Sequence, residues 1–320
     1  LGPLLAKFGT AKVSLPGGCA IGTRPIDIHL KSLSKLGVKY KIFQGYVHAS
    51  APRGLIGSKI WFSKVSVGAT ENLLIAACFA KGTTILNNCA IEPEIKDLVN
   101  FLIKLGCDIK WIGKRSLEII GVKRVNEISY SVMFDRIEAG TYLIAAAITE
   151  GNLKIKNIDP NIIRTEINIL KKIGIKIIMK KNELQIIGNK NIKNINIITA
   201  PYPGFPTDLQ AQMMVLLCKA NKKSIIKENI FENRFMHVSE LNRMGAQISI
   251  NGNKAIVSGN IKFAPAELMA TDLRASVSLV LAALGAKGKS VINRIYHLDR
   301  GYENIEKKLK KVGAKIKRIN

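Results

Sequence analysis

The chain contains 320 residues, of which 47% are hydrophobic and 6% aromatic, and it carries a formal net charge of +26. This length predicts two domains rather than one. The apolar runs fall far short of the ~18 residues that a membrane helix needs, so we expect no membrane association. Five cysteines without a Cys-x-x-Cys pair argue against a disulfide framework and a zinc site, and they favour a reducing, cytoplasmic compartment.

The positive charge raises the question of nucleic-acid binding. Only 12 of the 49 basic residues are arginine, and the lysines are spread along the chain together with isoleucine and asparagine. The sequence lacks the clusters of arginine with interleaved aromatic residues that are typical of nucleic-acid interfaces. We therefore do not expect nucleic-acid binding to be the main function, although the charge can attract anionic substrates.

The segment Leu15–Asp27 has the composition of a loop, with three glycines and two prolines among thirteen residues. Such a segment cannot form a helix or a central strand. It contains Cys19, and Arg24 follows five residues later. Because a nearby guanidinium favours the thiolate, Cys19 is a candidate reactive group. The alternative is a cysteine that only fills space beside a turn.

A helix that ends in a glycine and is followed at once by a strand recurs along the chain. Glycine suits the left-handed position that ends a helix. The five glycines lie 69, 68, 71 and 68 residues apart. This constant period predicts a structural repeat of about seventy residues. The glycines are Gly37, Gly106, Gly174, Gly245 and Gly313.

A second helix in most repeats is rich in small and apolar residues on all sides, which predicts that it is fully buried. A β-rich stretch follows each of these helices, so we expect helices inside and sheets outside, as in an α/β barrel turned inside out. The start of the chain, Leu1–Lys7, matches the end of such a helix, which indicates that the first visible repeat lacks its front. The repeat arithmetic divides the chain into domains 1–133 and 134–320. The predicted buried helices are Gly68–Ala80, Ala139–Ile148, Thr207–Ala220 and Thr271–Ala286.

Blocks distributed from Leu1 to the C-terminus resemble the UDP-N-acetylglucosamine 1-carboxyvinyltransferase family of enolpyruvyl transferases. The blocks are Leu15–Asp27, Lys64–Thr70, Pro201–Asp208, Phe231–His237, and Ala270–Ser276 with Tyr296–Tyr302. The resemblance implies two domains of three βαβαββ units each, with the first unit and part of the second missing here. The family's Lys-Asn pair has no counterpart in this sequence. We therefore expect little or no turnover from the piece as printed and activity from its full-length parent.

The reaction that the resemblance implies is transfer of the enolpyruvyl group of phosphoenolpyruvate to the 3-hydroxyl of UDP-N-acetylglucosamine. Phosphate is released, by addition and then elimination. This is the first committed step of peptidoglycan synthesis in the bacterial cytoplasm, and so it serves the cell wall, cell shape and cell division. The implied partners are the two small-molecule substrates, with no cofactor and no metal, and no oligomer is implied.

The resemblance also assigns roles to single residues. Cys19 matches the proton donor, which is the target of fosfomycin. Asp208 matches the candidate base, whereas its position before a helical run also suits an N-cap, a role that Thr207 can take instead. Arginines suit the anionic phosphoenolpyruvate because their planar fork binds carboxylate and phosphate. Those matched to phosphoenolpyruvate are Arg24, Arg274 and Arg300, with Arg234 approaching the same place.

The resemblance assigns the nucleotide sugar to two stretches and to the single residues Asp208 and Ile230. Lys64–Gly68 precedes a buried helix, whose first backbone N–H groups can hold a diphosphate. Near the arginines, Asp272 and Asp299 are candidates to orient guanidinium groups, or else form ordinary surface pairs. The matched residues are Arg24, Pro25, Ile26, Asp27, Ile28, Lys64, Val65, Ser66, Val67, Gly68, Asp208 and Ile230.

Three alternatives stay open at this point. The sister enolpyruvyl transferase of the shikimate pathway shares the repeat, but the Cys19 loop and the block Phe231–His237 argue against it. A non-catalytic remnant of a decaying gene fits the composition, but the retained Cys19 and Asp208 argue against it. A basic RNA-binding protein is the third.

Overall fold

The computed structural model describes residues 1–17 and 25–319. The described residues form two compact units, one that ends at Met133 and one that begins at Phe134. Cys19 and Arg24 lie outside the described residues.

The described residues of the first unit form two sheets and four helices. One sheet has the strand order β1-β3-β2 and is antiparallel throughout. The other has the order β4-β5-β7-β6, in which only β4 and β5 run parallel. The helices are α1 (Gly2–Phe8), α2 (Asp27–Lys35), α3 (Val67–Ala77) and α4 (Pro93–Lys104). The strands are β1 (Thr10–Ser14), β2 (Lys39–Phe43), β3 (Tyr46–Ser50), β4 (Lys59–Trp61), β5 (Thr83–Asn87), β6 (Asp108–Gly113) and β7 (Ser116–Ile120).

Helix α3 is the central helix of the first unit. Its leucines and alanines are buried against strands and against α1. The N–H of Gly2 at the start of α1 donates a hydrogen bond of 2.7 Å to Oδ1 of Asn72 on α3. The predicted buried helix is therefore confirmed at this position.

In the described part of the second unit there are three sheets, with orders β8-β10-β9, β11-β12-β14-β13 and β15-β16. Its helices are α5 (Arg136–Ile148), α6 (Arg164–Lys172), α7 (Gln210–Leu217), α8 (Val238–Arg243), α9 (Leu273–Leu284), α10 (Tyr296–Asp299) and α11 (Ile305–Lys311). Its strands are β8 (Asn152–Lys156), β9 (Lys176–Lys180), β10 (Glu183–Ile187), β11 (Ile197–Ile198), β12 (Ser224–Lys227), β13 (Ile248–Asn251), β14 (Lys254–Val257), β15 (Glu267–Met269) and β16 (Val291–Asn293).

Three buried helices, α5, α7 and α9, pack against one another at the centre of the second unit. A 3₁₀ turn, Thr207–Leu209, leads into α7. Gly140 on α5 permits a close approach there, because a Cβ at this position would lie 2.5 Å from Cδ1 of Leu209. The glycine therefore brings α5 against the turn that contains Asp208. The buried helices with sheets around them confirm the predicted α/β class.

The five repeat glycines end helices α2, α4, α6, α8 and α11, as predicted. Each has a positive φ, between +88° and +103°. A side chain at such a φ would be strained, and glycine avoids this cost while the chain leaves the helix. The period of the repeat therefore reflects one backbone requirement that is met five times.

The described part of the chain has no helix long and apolar enough to cross a membrane. Within the same residues, no group of three or more histidine, cysteine, aspartate or glutamate side chains is arranged to hold a metal ion. The four described cysteines are buried free thiols, as expected for structural residues. Burial raises the pKa of Cys89 and of Cys218 to about 12, which keeps both thiols protonated.

Candidate active site

The carboxylate of Asp208 binds two guanidinium groups. Its Oδ1 accepts a hydrogen bond of 2.6 Å from Nη2 of Arg234, and its Oδ2 accepts one of 3.2 Å from Nη2 of Arg274. The side chain of Asp208 is 37% exposed, whereas those of Arg234 and Arg274 are 5% and 14% exposed. Asp208 is therefore a partly exposed carboxylate paired with one buried and one largely buried guanidinium group.

Three separate elements supply these groups. Asp208 lies in the 3₁₀ turn before α7, and Arg234 lies between β12 and α8. Arg274 is in the first turn of α9, and Asp272 is the N-cap of this helix. Oδ1 of Asp272 accepts hydrogen bonds from the backbone N–H groups of Arg274 and Ala275, at 2.8 and 3.0 Å. The structure thus brings together three of the residues that the sequence singled out.

The alternative role of Asp208 as a helix N-cap is wrong. Its carboxylate faces Arg234 and Arg274, and the residue at the N-cap of the 3₁₀ turn is Pro206. Thr207 does not cap the turn either, because its hydroxyl donates a 2.9 Å hydrogen bond to Glu228. Charged donors within reach are stronger partners for a carboxylate than neutral N–H groups.

The two aspartates near the arginines have other partners than guanidinium groups of the candidate site. Asp272 caps α9 through the backbone, as described above. Asp299 accepts hydrogen bonds of 3.0 and 2.6 Å from Arg318. Arg300 follows α10 with an exposed side chain, and it is not among the ion-pair partners of Asp208.

The hydroxyl of Tyr302 joins the three central helices beneath this site. It lies 3.0 Å from Oγ1 of Thr141 on α5 and accepts a 3.3 Å hydrogen bond from Nε2 of Gln212 on α7. The guanidinium carbon of Arg274 on α9 is 5.4 Å from the centre of the Tyr302 ring. Gln212 also donates a 2.9 Å hydrogen bond to the backbone oxygen of Asp208. Tyr302 therefore contacts both the arginine and the amide that support Asp208.

We predict that Tyr302→Phe lowers the free energy of unfolding by about 1 kcal/mol, because it removes a buried hydroxyl that is hydrogen-bonded to Thr141 and Gln212. Urea denaturation measures this change. Tyr296→Phe is the matched control, since the Tyr296 side chain is exposed, and we expect no measurable change from it. Equal stability of the two variants would contradict the buried network.

His237 lies in the turn that contains Arg234 and is only 1% exposed. Its Nε2 has no hydrogen-bond partner among the residues that the structure describes. Burial lowers its pKa to about 4, and Arg234 adds to this effect, whereas Asp272 opposes it. His237 is therefore neutral in the folded protein at pH 7.

We predict a loss of stability below pH 6.5 that depends on His237. The unfolded chain binds this proton near the ordinary pKa of 6.5 and the folded chain only near 4. As the pH falls between these values, the free energy of unfolding drops by about 1.4 kcal/mol per pH unit. Urea denaturation at several pH values measures the slope. His237→Gln removes this part of the pH dependence, whereas His297→Gln keeps it, and identical slopes in all three proteins would contradict the assignment.

Two of the segments matched to the nucleotide sugar lie side by side in the first unit. The region Pro25–Ile28 enters α2, and Lys64–Gly68 enters α3, where Ser66 caps the helix by accepting a 3.3 Å hydrogen bond from the N–H of Ala69. A Cβ on Gly68 would lie 3.5 Å from Cε1 of His29 on α2. Lys64 is exposed, whereas Ile28 is buried in the core, so its side chain is not available to a ligand.

Comparison with known proteins decides the family. Residues 1–309 match the family model of EPSP synthase (3-phosphoshikimate 1-carboxyvinyltransferase). The chain is 81% identical over 320 residues to the UDP-N-acetylglucosamine 1-carboxyvinyltransferase of Pelagibacter ubique, covering all of this chain and 77% of that protein. It is 54% identical over 319 residues to the protein of the same name from Geotalea uraniireducens, with 76% of that protein covered. The chain belongs to the UDP-N-acetylglucosamine 1-carboxyvinyltransferases, within the EPSP synthase family.

Solved structures agree with this family at the level of the fold. The enolpyruvyl transferase NikO from Streptomyces tendae is 26% identical, with a TM-score of 0.89 over 98% of this chain and 75% of that chain. The EPSP synthase of Acinetobacter baumannii is 19% identical, with a TM-score of 0.73 over 98% of this chain and 76% of that chain, and this likeness concerns the fold alone.

In this carboxyvinyltransferase family member, sequence reasoning missed the buried polar residues around the site. Tyr302 is the last residue of the matched segment Tyr296–Tyr302, but no role was predicted for it, for Gln212 or for Glu228. The available signal was a polar residue within an otherwise apolar stretch, as at Gln212, because such a residue needs a partner when it is buried. No local pattern marked Glu228.

Proposed function

We propose that this protein transfers the enolpyruvyl group of phosphoenolpyruvate to the 3-hydroxyl of UDP-N-acetylglucosamine, with release of phosphate. The proposal rests on the Asp208 carboxylate, which is paired with two guanidinium groups. The chain is also 81% identical to a relative named UDP-N-acetylglucosamine 1-carboxyvinyltransferase. The reaction needs a base for the sugar hydroxyl, an acid for the methylene carbon, and positive charge for carboxylate and phosphate.

Asp208 is the proposed base. Its carboxylate is 37% exposed, so a substrate hydroxyl can reach it while both arginines hold it in place. In the addition step, the carboxylate takes the hydroxyl proton as the sugar oxygen bonds to C2 of phosphoenolpyruvate, and the proposed acid Cys19 protonates C3, which becomes a methyl group. In the elimination step, the C2–O bond to phosphate breaks, phosphate leaves, and the C3 methyl group returns a proton to the Cys19 thiolate, so that the double bond forms again.

Arg274 is proposed to bind the anionic groups of phosphoenolpyruvate. Its Nη2 donates a hydrogen bond to Asp208, but its Nη1 is buried and has no hydrogen-bond partner among the described residues. A buried donor without a partner carries a desolvation cost that a substrate anion would remove. The family resemblance assigns Arg24 and Arg300 to the same anion, and Arg234 adds charge beside Asp208.

Cys19 is the proposed proton donor to the methylene carbon and the proposed site of reaction with fosfomycin; both roles rest on the family resemblance. The same resemblance assigns UDP-N-acetylglucosamine to Arg24–Ile28, Lys64–Gly68, Asp208 and Ile230. The N-terminus of α3 supports this assignment, since the backbone N–H groups at a helix start favour phosphate. We further propose that the enzyme acts in the cytoplasm, in peptidoglycan synthesis.

The test is phosphate release from phosphoenolpyruvate by the protein as its gene encodes it, including any residues before Leu1. We expect release with UDP-N-acetylglucosamine and formation of its enolpyruvyl ether by mass spectrometry. No release is expected without an acceptor or with shikimate 3-phosphate. Turnover of shikimate 3-phosphate in place of the nucleotide sugar would overturn the proposal, as would a folded protein that turns over neither.

A further inference from the structure

Glu228 has a buried carboxylate that none of the roles above uses. It follows β12 directly and is 2% exposed. Its Oε1 accepts hydrogen bonds from the backbone N–H of Ile230 at 2.7 Å, from that of Phe231 at 3.2 Å, and from Oγ1 of Thr199 at 2.9 Å. Its Oε2 accepts a 2.9 Å hydrogen bond from Oγ1 of Thr207. Four donors offset the cost of burying this charge.

These donors come from three different segments of the second unit. Thr199 follows β11, Thr207 opens the 3₁₀ turn before α7, and Ile230 and Phe231 follow β12. A single side chain therefore joins three segments that together span positions 199 to 231 of the sequence. Because every donor points at the same two oxygens, a shift of one segment disturbs the others.

Two of the joined segments also supply the ion pair of the candidate site. Thr207 directly precedes Asp208, and Phe231 precedes Arg234 by three residues. The Phe231 ring centre is 5.3 Å from the guanidinium carbon of Arg234. Glu228 thus fixes the backbone on both sides of the 2.6 Å contact between Asp208 and Arg234.

We propose that Glu228 is a positioning residue. Through its hydrogen bond with the Thr207 hydroxyl it holds Asp208 in the position needed for proton transfer, and through two backbone hydrogen bonds it holds the Ile230–Arg234 segment. This rests on the proposed function, in which Asp208 is the base. Placement errors of about 1 Å at a reacting group reduce rates by up to ~10²-fold. A positioning role therefore affects kcat, whereas a purely structural role affects stability alone.

The decisive comparison is Thr207→Val against Thr207→Ser, in the protein as its gene encodes it. Valine keeps the volume of threonine but removes the hydroxyl, so we expect kcat to fall about tenfold while both KM values stay within about twofold. Serine restores the hydroxyl, and we expect kcat within about twofold of the wild type. Thr149→Val is the matched control, because this hydroxyl bonds only within and at the end of α5, and we expect unchanged kcat.

Amide hydrogen exchange in the unliganded protein tests the positioning without reference to turnover. We expect Thr207→Val to speed exchange at Leu209, whose N–H closes the turn onto the oxygen of Pro206. Glu228→Ala is expected to speed exchange at Ile230 and Phe231 as well, and Thr149→Val at none of these. These data also reveal whether a variant is unfolded.

The outcomes separate the two proposals. A wild-type protein without transferase activity contradicts the proposed function, and the exchange data then decide alone whether Glu228 orders these segments. An active wild type with unchanged kcat in Thr207→Val overturns the positioning role. A loss of kcat that Thr207→Ser does not restore, or unaltered exchange in both the Thr207→Val and Glu228→Ala variants, also overturns it.

Discussion

Asp208→Asn is expected to lower kcat by about 10²–10⁴-fold, because a neutral amide cannot accept the proton of the sugar hydroxyl. The amide keeps the size of the side chain and one acceptor oxygen for Arg234 or Arg274. We therefore expect the loss to lie in kcat rather than in the binding of UDP-N-acetylglucosamine. Phosphate release measures the rate, and calorimetry measures the binding.

The Asp208→Asn variant also tests the ion pairs. Arg234 is 5% exposed and loses its charged partner, so we expect the free energy of unfolding to fall by about 1–2 kcal/mol, reduced by the partial exposure of Asp208. Asp108→Asn is the control, since its carboxylate is 48% exposed and lies 3.9 Å from Lys110. A variant at Asp208 that retains more than half of the wild-type kcat would rule out this base.

Arg274→Lys is expected to lower kcat/KM for phosphoenolpyruvate by about 10²–10³-fold, the usual cost of losing a donor to charge that develops in the transition state. Lysine keeps the positive charge but lacks the planar guanidinium with its several N–H donors, so it cannot bind Asp208 and a substrate anion at the same time. It also loses the contact between the guanidinium and the Tyr302 ring, whose centre lies 5.4 Å from the guanidinium carbon. Steady-state kinetics with varied phosphoenolpyruvate measures the effect.

Arg243→Lys is the matched control for Arg274→Lys. Arg243 lies on α8 with a 55% exposed side chain, paired with Glu240 at 3.0 Å. We expect unchanged kinetics from this substitution. Comparable losses in both variants would show that the effect is a general consequence of replacing arginine, and would contradict a special role for Arg274.

The repeat and its buried helices were predictable because their causes are local. A glycine with positive φ ends each outer helix, and an all-round apolar stretch can only be stable when it is buried. Both signals stand within a dozen residues of sequence. The prediction of α3, α5, α7 and α9 required no knowledge of their neighbours.

The candidate site was predictable only in part. Asp208, Arg234 and Arg274 were singled out by resemblance, and the structure brings them within 2.6 to 3.2 Å. The partners of Asp272 and Asp299 were not foreseen. Asp272 lies two residues before Arg274, and its carboxylate can accept either from the guanidinium or from the backbone N–H of that arginine. Which of the two it contacts depends on where α9 begins.

The sequence by itself determined the α/β repeat, the helix ends and the family, since these depend on backbone preferences and on residues in fixed order. Only the tertiary structure decided which charges meet, because Asp208 is 26 residues from Arg234 and 66 from Arg274 along the chain. The same holds for Glu228, whose donors at Thr199 and Thr207 precede it by 29 and 21 residues. Contacts over such separations depend on how strands and helices pack, and local sequence does not encode that packing.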